Sequence, residues 1–327
     1  MHSKSLGLIR LMSLISLLWA PSLYGAETYP SKPLLFVTHS GPGGGMDTML
    51  RRITDIMAKE KLVTQQMRVE NIQGGGSAKA MTSIVKRKGD DHVLAGLTSV
   101  WVAAPLISTD IKVSYKDMTT IAMLGLDPNI VVVRGDSPFK TMKDLLDFAK
   151  ANPNKVKQAG ASVTSNPNFD RMIIGEATGA HWDYVAFPSG GEAITALLGG
   201  HVNLVIGQPA DMGGHLKAGA LRALASFSES RLAGYPNVPT LREAGVTARV
   251  SRGTVRGIVA PPDIPASSVQ YWEDVLRKLT KTQGYQQFSS EIELSPRFLT
   301  SKEFKQFLDE ETETLAKSLA RLGDLKK

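Results

Sequence analysis

Three glycine-rich turns hold the clearest chemical potential in this sequence. Gly41-Pro42-Gly43-Gly44-Gly45 follows an apolar run and precedes a helical pattern, and Gly74-Gly75-Gly76-Ser77 and Ser189-Gly190-Gly191-Glu192 repeat the arrangement. Such a turn exposes backbone N–H groups where the following helix adds partial positive charge. An anion can be held there by backbone alone, so the 41–45 loop is expected to present positive potential without a basic side chain. The plainer reading of each loop is a tight turn.

Nucleotide chemistry fits these loops poorly. None ends in Gly-Lys-Ser/Thr, so the phosphate loop of NTPases is absent. Gly41-x-Gly43 sits as a dinucleotide loop would, with Glu70 as a conceivable ribose partner, but Met46 takes the third glycine position. Catalytic groupings are sparse. There is no Gly-x-Ser-x-Gly elbow and no cysteine, and the six histidines never fall at metal-ligand spacing. His39, Ser40 and Asp47 could in principle form a secreted hydrolase's nucleophilic set. Asp47 is more simply expected to cap the helix it begins, with orientation of the glycine loop as a refinement. No metal, no cofactor and no catalytic residue is expected.

The elements that must position these loops alternate. Leu34-Leu35-Phe36-Val37-Thr38 is a β-prone run, and Met49, Leu50, Ile53, Ile56 and Met57 recur at helical spacing after the first loop. Strands are expected at Met67–Glu70, Val93–Leu97, Ile130–Val133, Val202–Ile206 and Leu221–Ala225. Thr141 and Asp144 form a capping-box pair, and Glu192–Leu198 reads as a helix stopped by Gly199-Gly200. A long helix from about Lys302 places Phe304, Phe307, Leu308, Leu315, Leu319 and Leu322 on one side. Strand, glycine turn and helix recurring in this way predict an α/β protein with parallel strands.

Composition narrows the function. The chain has 327 residues, 42% hydrophobic and 21% charged, with a formal net charge of +7. That is globular, and long enough for two domains. The densest basic run, Lys86-Arg87-Lys88, meets Asp90-Asp91 at once, and aromatic content is 6%, so no nucleic-acid surface is expected. Residues 1–26 carry Lys4 and Arg10, an apolar core from Leu11 to Ala20, then Pro21 and small residues. This is the order of a secretory signal, cleaved near residue 25 or 26, and it predicts export, which the family resemblance given below places in the periplasm. A permanent anchor is the competing reading. No later run is apolar enough to cross a membrane.

The motifs together resemble a known family. Tyr29-Pro30-Ser31-Lys32-Pro33, then Gly41 to Asp47, Gly74 to Ala78, Asp117-Met118-Thr119, Val185 to Ala193, Ala196 to Gly200, Val238 to Gly245 and Arg256 to Pro262 are similar to the receptors of tripartite tricarboxylate transporters, the Bug-type solute-binding proteins. The likeness spans essentially the whole exported chain.

The resemblance implies a two-domain Venus flytrap of the type II periplasmic-binding-protein fold, with a mixed sheet flanked by helices in each domain. Domain 1 would comprise residues 27–127 plus 251–327 and domain 2 residues 128–250, with the ligand cleft between them. It implies capture of a small carboxylate, with di- or tricarboxylates such as citrate favoured, and delivery to membrane permease subunits by a monomeric receptor. Presentation to a sensor kinase is the alternative use. The residues implied to meet the ligand are Ser40, Gly41, Gly43, Gly44, Gly45 and Asp47; Gly75 and Ser77; Thr98 and Ser99; Ser162, Thr164, Ser165 and Asn166; Phe187, Ser189 and Gly190; and Gln208. Pro167, Phe169 and Gln208-Pro209 depart from the family's usual pattern at positions that touch ligand selectivity, so citrate does not simply carry over to this chain.

Overall fold

The computed structural model describes residues 29–160, 165–187, 189–247 and 253–321. The signal read at residues 1–26, and Leu322 of the long helix, lie outside the described residues. In chain order the elements are β1 (Leu34–Thr38), α1 (Gly45–Lys59), β2 (Met67–Asn71), α2 (Ala78–Val85), β3 (Val93–Leu97), α3 (Val100–Ile107), β4 (Thr119–Asp127), β5 (Ile130–Arg134), α4 (Met142–Ala151) and β6 (Lys157–Gly160). There follow α5 (Asn166–Thr178), β7 (Asp183–Ala186), α6 (Gly190–Leu198), β8 (Leu204–Gly207), α7 (Pro209–Lys217), β9 (Leu221–Ser226), β10 (Thr254–Ala260), α8 (Ala266–Leu279), α9 (Gln283–Glu291), β11 (Ser295–Leu299) and α10 (Ser301–Arg321).

The apolar runs become strands because both of their faces are covered. In β1, Leu34 and Phe36 join the core packed by α1, α8 and α9, while Leu35 and Val37 face the core packed by α2, α3 and α10. The spacing read in α1 buries Met49, Leu50, Ile53, Ile56 and Met57 on one side. Thr141 and Asp144 do form a reciprocal capping box at α4. The strand expected from Val202 starts at Leu204. Asn203 first closes onto Lys157 through its N–H and its side-chain oxygen, each at 2.8 Å.

Two mixed sheets result, and they share one plan. The first runs β11-β4-β10-β3-β1-β2 and the second β7-β6-β8-β5-β9. In each, the first strand after the chain arrives from the other sheet, β10 or β5, is inserted antiparallel between its neighbours. The strands β1, β2, β3 and β6, β7, β8 are parallel, so the loops leaving their carboxyl ends cluster. Ligand sites of open α/β sheets form at such ends.

The chain crosses from β4 to β5 through Pro128 and Asn129 alone. Gly253, beside the returning segment, lies so close to this crossing that a side-chain carbon on it would stand 2.2 Å from the Asp127 carbonyl. The halves also touch through apolar side chains. Phe169 and Met172 of α5 pack with Ala103, Leu106 and Ile107 of α3 and with Leu315 and Leu319 of α10.

Candidate functional site

The 41–45 loop is held from inside helix α1. Gly44 takes the N-cap position and donates its N–H to the Gly41 carbonyl at 2.9 Å. Asp47 is not the cap that the sequence suggests. It is the third helical residue, 2% exposed, and its carboxylate reaches back to accept from Gly43 N–H at 2.8 Å, Asn71 Nδ2 at 2.8 Å and Arg51 Nε at 2.9 Å. Burial alone would push its pKa up. The bonds from Arg51, Gly43 and Asn71 outweigh burial and hold it below the ordinary carboxylate value. Asn71 also donates to the Ser40 carbonyl at 2.8 Å, which ties the start of the loop to β2.

This scaffold leaves donors over. The N–H groups of Gly45, Met46 and Asp47 find no acceptor among the described residues, as expected of a helix's first turn without a capping side chain. The second loop lies alongside. Gly74, Gly75, Gly76 and Ser77 all adopt positive φ, and Gln73 of the same connection packs against Gly41. Ser77 is buried, whereas Gly75 is exposed.

A donor chain lies beside the first loop. Trp101 donates its indole N–H to His39 Nδ1 at 2.9 Å, and His39 Nε2 stands 3.3 Å from Thr98 Oγ1. Indole can only donate, so neutral His39 carries its proton on Nε2 and gives it to Thr98. The hydroxyl proton of Thr98 is then left for another acceptor. Burial, helped by the charge of Arg256, lowers the His39 pKa to about 4, so the ring is neutral near pH 7. The same geometry separates the hydrolase set. His39 engages Thr98 and Trp101, whereas Asp47 engages Gly43, Asn71 and Arg51.

One basic side chain does stand at the loop, contrary to the sequence expectation. Arg256, from β10, presses on Gly45: its Nη2 lies 2.8 Å from where a side-chain carbon on Gly45 would be. Arg256 and Asp127 form a buried ion pair through Nε and Nη2. Thr254, Arg256, Ile258 and Ala260 share one face of β10, and only the end nearest the crossing is polar. A lone arginine in the otherwise apolar run Val255–Ala260 was the available signal. Asp211, in the first turn of α7, keeps solvent contact, but partial desolvation and then the Asp127 charge raise its pKa against the opposing pull of Arg256.

The remaining predicted residues fall into two groups. Ser99 and Gln208 are tied to the returning strand: Ser99 Oγ accepts from Val255 N–H at 2.9 Å, and Gln208 Nε2 donates to Thr254 Oγ1 at 3.2 Å. Ser99 and Asn166 line one cavity at the junction with Val102, Phe169, Asp170 and Val255. Asn166 opens α5, whose start is anchored by Gln158 donating to the Pro167 carbonyl at 2.9 Å, and Ser165 Oγ meets Tyr184 at 3.0 Å. Ser189 caps α6, its hydroxyl accepting from Glu192 N–H at 3.2 Å, and Gly190 is exposed beside it. Phe187 packs on the core under α6. Ser162 and Thr164 lie outside the described residues.

Two other features stand apart from this set. A groove lined by Ser228 to Ala233, Tyr285 and Glu293 to Phe298 holds none of the predicted residues. Asp90, Asp91 and His92 bring potential metal-ligating atoms within 4.8 Å of one another, a cluster that histidine spacing does not announce. Their groups are already engaged: His92 Nδ1 meets Asp91 at 2.7 Å, His92 Nε2 accepts from Ser31 N–H at 3.2 Å, and Ser268 donates to Asp91 at 2.6 Å.

Two sheets of one plan, crossed twice by the chain, give the fold of the periplasmic binding proteins. The family model described as "Tripartite tricarboxylate transporter family receptor" matches residues 49–323, and the chain belongs to that family. A protein of Cupriavidus necator, "UPF0065 protein in gbd 5'region", is 27% identical over 303 residues, covering 93% of this chain and 91% of the relative. Among solved structures, MatC from Rhodopseudomonas palustris with bound malate aligns with a TM-score of 0.75 at 22% identity, over 89% of this chain and 100% of that one. R. palustris Rpa4515 with adipate aligns with a TM-score of 0.79 at 20% identity, over 89% and 98%. Among the described residues, no helix is long and apolar enough to cross a membrane.

Proposed function

We infer that this protein is an exported receptor that captures a small carboxylate between its two sheets and delivers it to the permease subunits of a tripartite transporter. The observation that carries this reading is the first turn of α1. Three N–H donors without acceptors among the described residues, and Thr98 with a hydroxyl proton to give, follow the carboxyl ends of the neighbouring strands β1 and β3. Backbone and hydroxyl donors gathered in this way suit the binding of an anion. Residues 27–127 with 251–327 form one closing half in this reading and 128–250 the other. Ser189 and Gly190 at α6, and Asn166 at α5, approach the ligand from the second half. The malate and adipate held by the two structural neighbours make dicarboxylates the first class to try.

A thermal-shift screen of the exported chain against mono-, di- and tricarboxylates tests the reading. A ligand present at 100 times its dissociation constant adds about 2.7 kcal/mol to stability, a shift of several degrees. No shift from any carboxylate would refute it, and chemical conversion of the ligand that binds would replace receptor with enzyme.

A further inference from the structure

Arg256 is more than the counter-ion of Asp127. Both of its contacts to that carboxylate, from Nε and Nη2, fall on the same oxygen, Oδ2. Nη1 has no acceptor among the described residues, although Arg256 is only 5% exposed. Among the described residues no side-chain nitrogen or oxygen is both fully sealed from solvent and unpartnered, so Nη1 keeps some contact with solvent. That edge of the guanidinium faces α1: Nη1 and Nη2 stand 3.5 Å and 2.8 Å from the would-be side-chain carbon of Gly45. A buried cation beside the positive end of a helix is unfavourable unless an anion joins them. Asp127 supplies one charge to the guanidinium but no acceptor to the helix.

We propose that Arg256 binds the ligand carboxylate directly, its Nη1 edge completing the anion site made by the N–H groups of Gly45, Met46 and Asp47. A planar guanidinium matches a carboxylate's two oxygens, and the ammonium of lysine does not. Asp127 acts as a positioning residue, turning the guanidinium so that its free edge points at the loop. Glycine at 45 is the space the guanidinium needs. The pair also straddles both crossings, since Asp127 ends β4 and Arg256 follows the returning segment by a few residues. A ligand held by Arg256 is therefore held at the pivot.

This rests on the carboxylate-receptor reading, and the test separates the two. The exported chain, Arg256→Lys and Gly45→Ala are titrated calorimetrically with malate, adipate and any carboxylate that raises the wild-type melting temperature. Gly45→Ala is the variant that must fold: alanine suits a helix, and its methyl group meets only the guanidinium of Arg256, with no backbone in its way. The expected result is a roughly tenfold to hundredfold loss of affinity in Arg256→Lys and a severalfold loss in Gly45→Ala. Apo melting of Gly45→Ala should stay near the wild type. Wild-type affinity in both variants would overturn the role of Arg256 and leave the receptor standing. Failure of the wild type itself to bind any carboxylate would remove both.

Discussion

Trp101 donates its indole N–H to Nδ1 of His39 at 2.9 Å, and that single bond fixes the imidazole proton on the opposite nitrogen. Protonating the ring would set two donors against each other in a buried place already near Arg256. His39 is therefore a neutral relay to Thr98.

Stability should accordingly depend on pH. The His39 pKa is lowered from 6.5 to about 4, so as pH falls the unfolded chain takes up the proton first. The stability that His39 contributes is fully present above pH 6.5 and is expected to drain away between about 6.5 and 4. The loss is up to ~3 kcal/mol. Urea unfolding at pH 7, 5.5 and 4 measures it. His39→Gln should flatten the slope; an unchanged slope in that variant would place the effect elsewhere.

Asp47→Ala should destabilise the fold by about 1–3 kcal/mol, because it strands the Gly43 N–H, the Asn71 amide and the Arg51 guanidinium together. Ligand affinity should fall with it, since the loop loses its inner brace. Asp47→Asn keeps one acceptor oxygen and should lose less on both counts. Denaturant midpoints and calorimetric affinities of the two variants check the order.

Phe169→Ala probes the contact between the halves. Phe169 is buried against α3 and α10, and its truncation should cost about 3 kcal/mol. The cost has a second expression, because the lost packing joins α5 to the other sheet's helices. Small-angle scattering of the apo variant should give a larger radius than the wild type. An equal radius with the same loss of stability would confine Phe169 to a packing role.

Ligand binding should also compact the wild-type chain, since loops from both sheets are proposed to touch one ligand. Scattering with and without a saturating carboxylate reports this directly. An unchanged radius with proven binding would confine the contacts to one half.

The backbone plan was legible because its signals are local. Continuous apolar runs became β1, β3 and β5, helical spacing became α1, and the Thr141–Asp144 pair became a cap. The shared order of the two sheets was not legible from spacing, since no sequence repeat accompanies it. The inserted positions of β5 and β10 depend on where the chain returns. The glycine loops were visible, but the side chains that complete them were not. Asn71 reaches Asp47 from β2, 24 residues away, and Asp127 meets Arg256 across 129. Asp47 was read as a cap because an acid before an apolar run usually is one. Only the fold shows it turned back onto Gly43. Ser99 and Gln208 were visible as polar residues at strand ends, but their bonds to Val255 and Thr254 depend on a strand that arrives much later.

The most direct test is to watch the donors themselves. The exported chain, labelled with nitrogen-15, is titrated with the carboxylate that most raises its melting temperature, and the backbone amide signals are followed. The account predicts that Gly45, Met46 and Asp47 shift together and saturate with the calorimetric affinity, with Gly190 responding at the same ligand concentration. Saturable binding that leaves the Gly45, Met46 and Asp47 amides unmoved would contradict it.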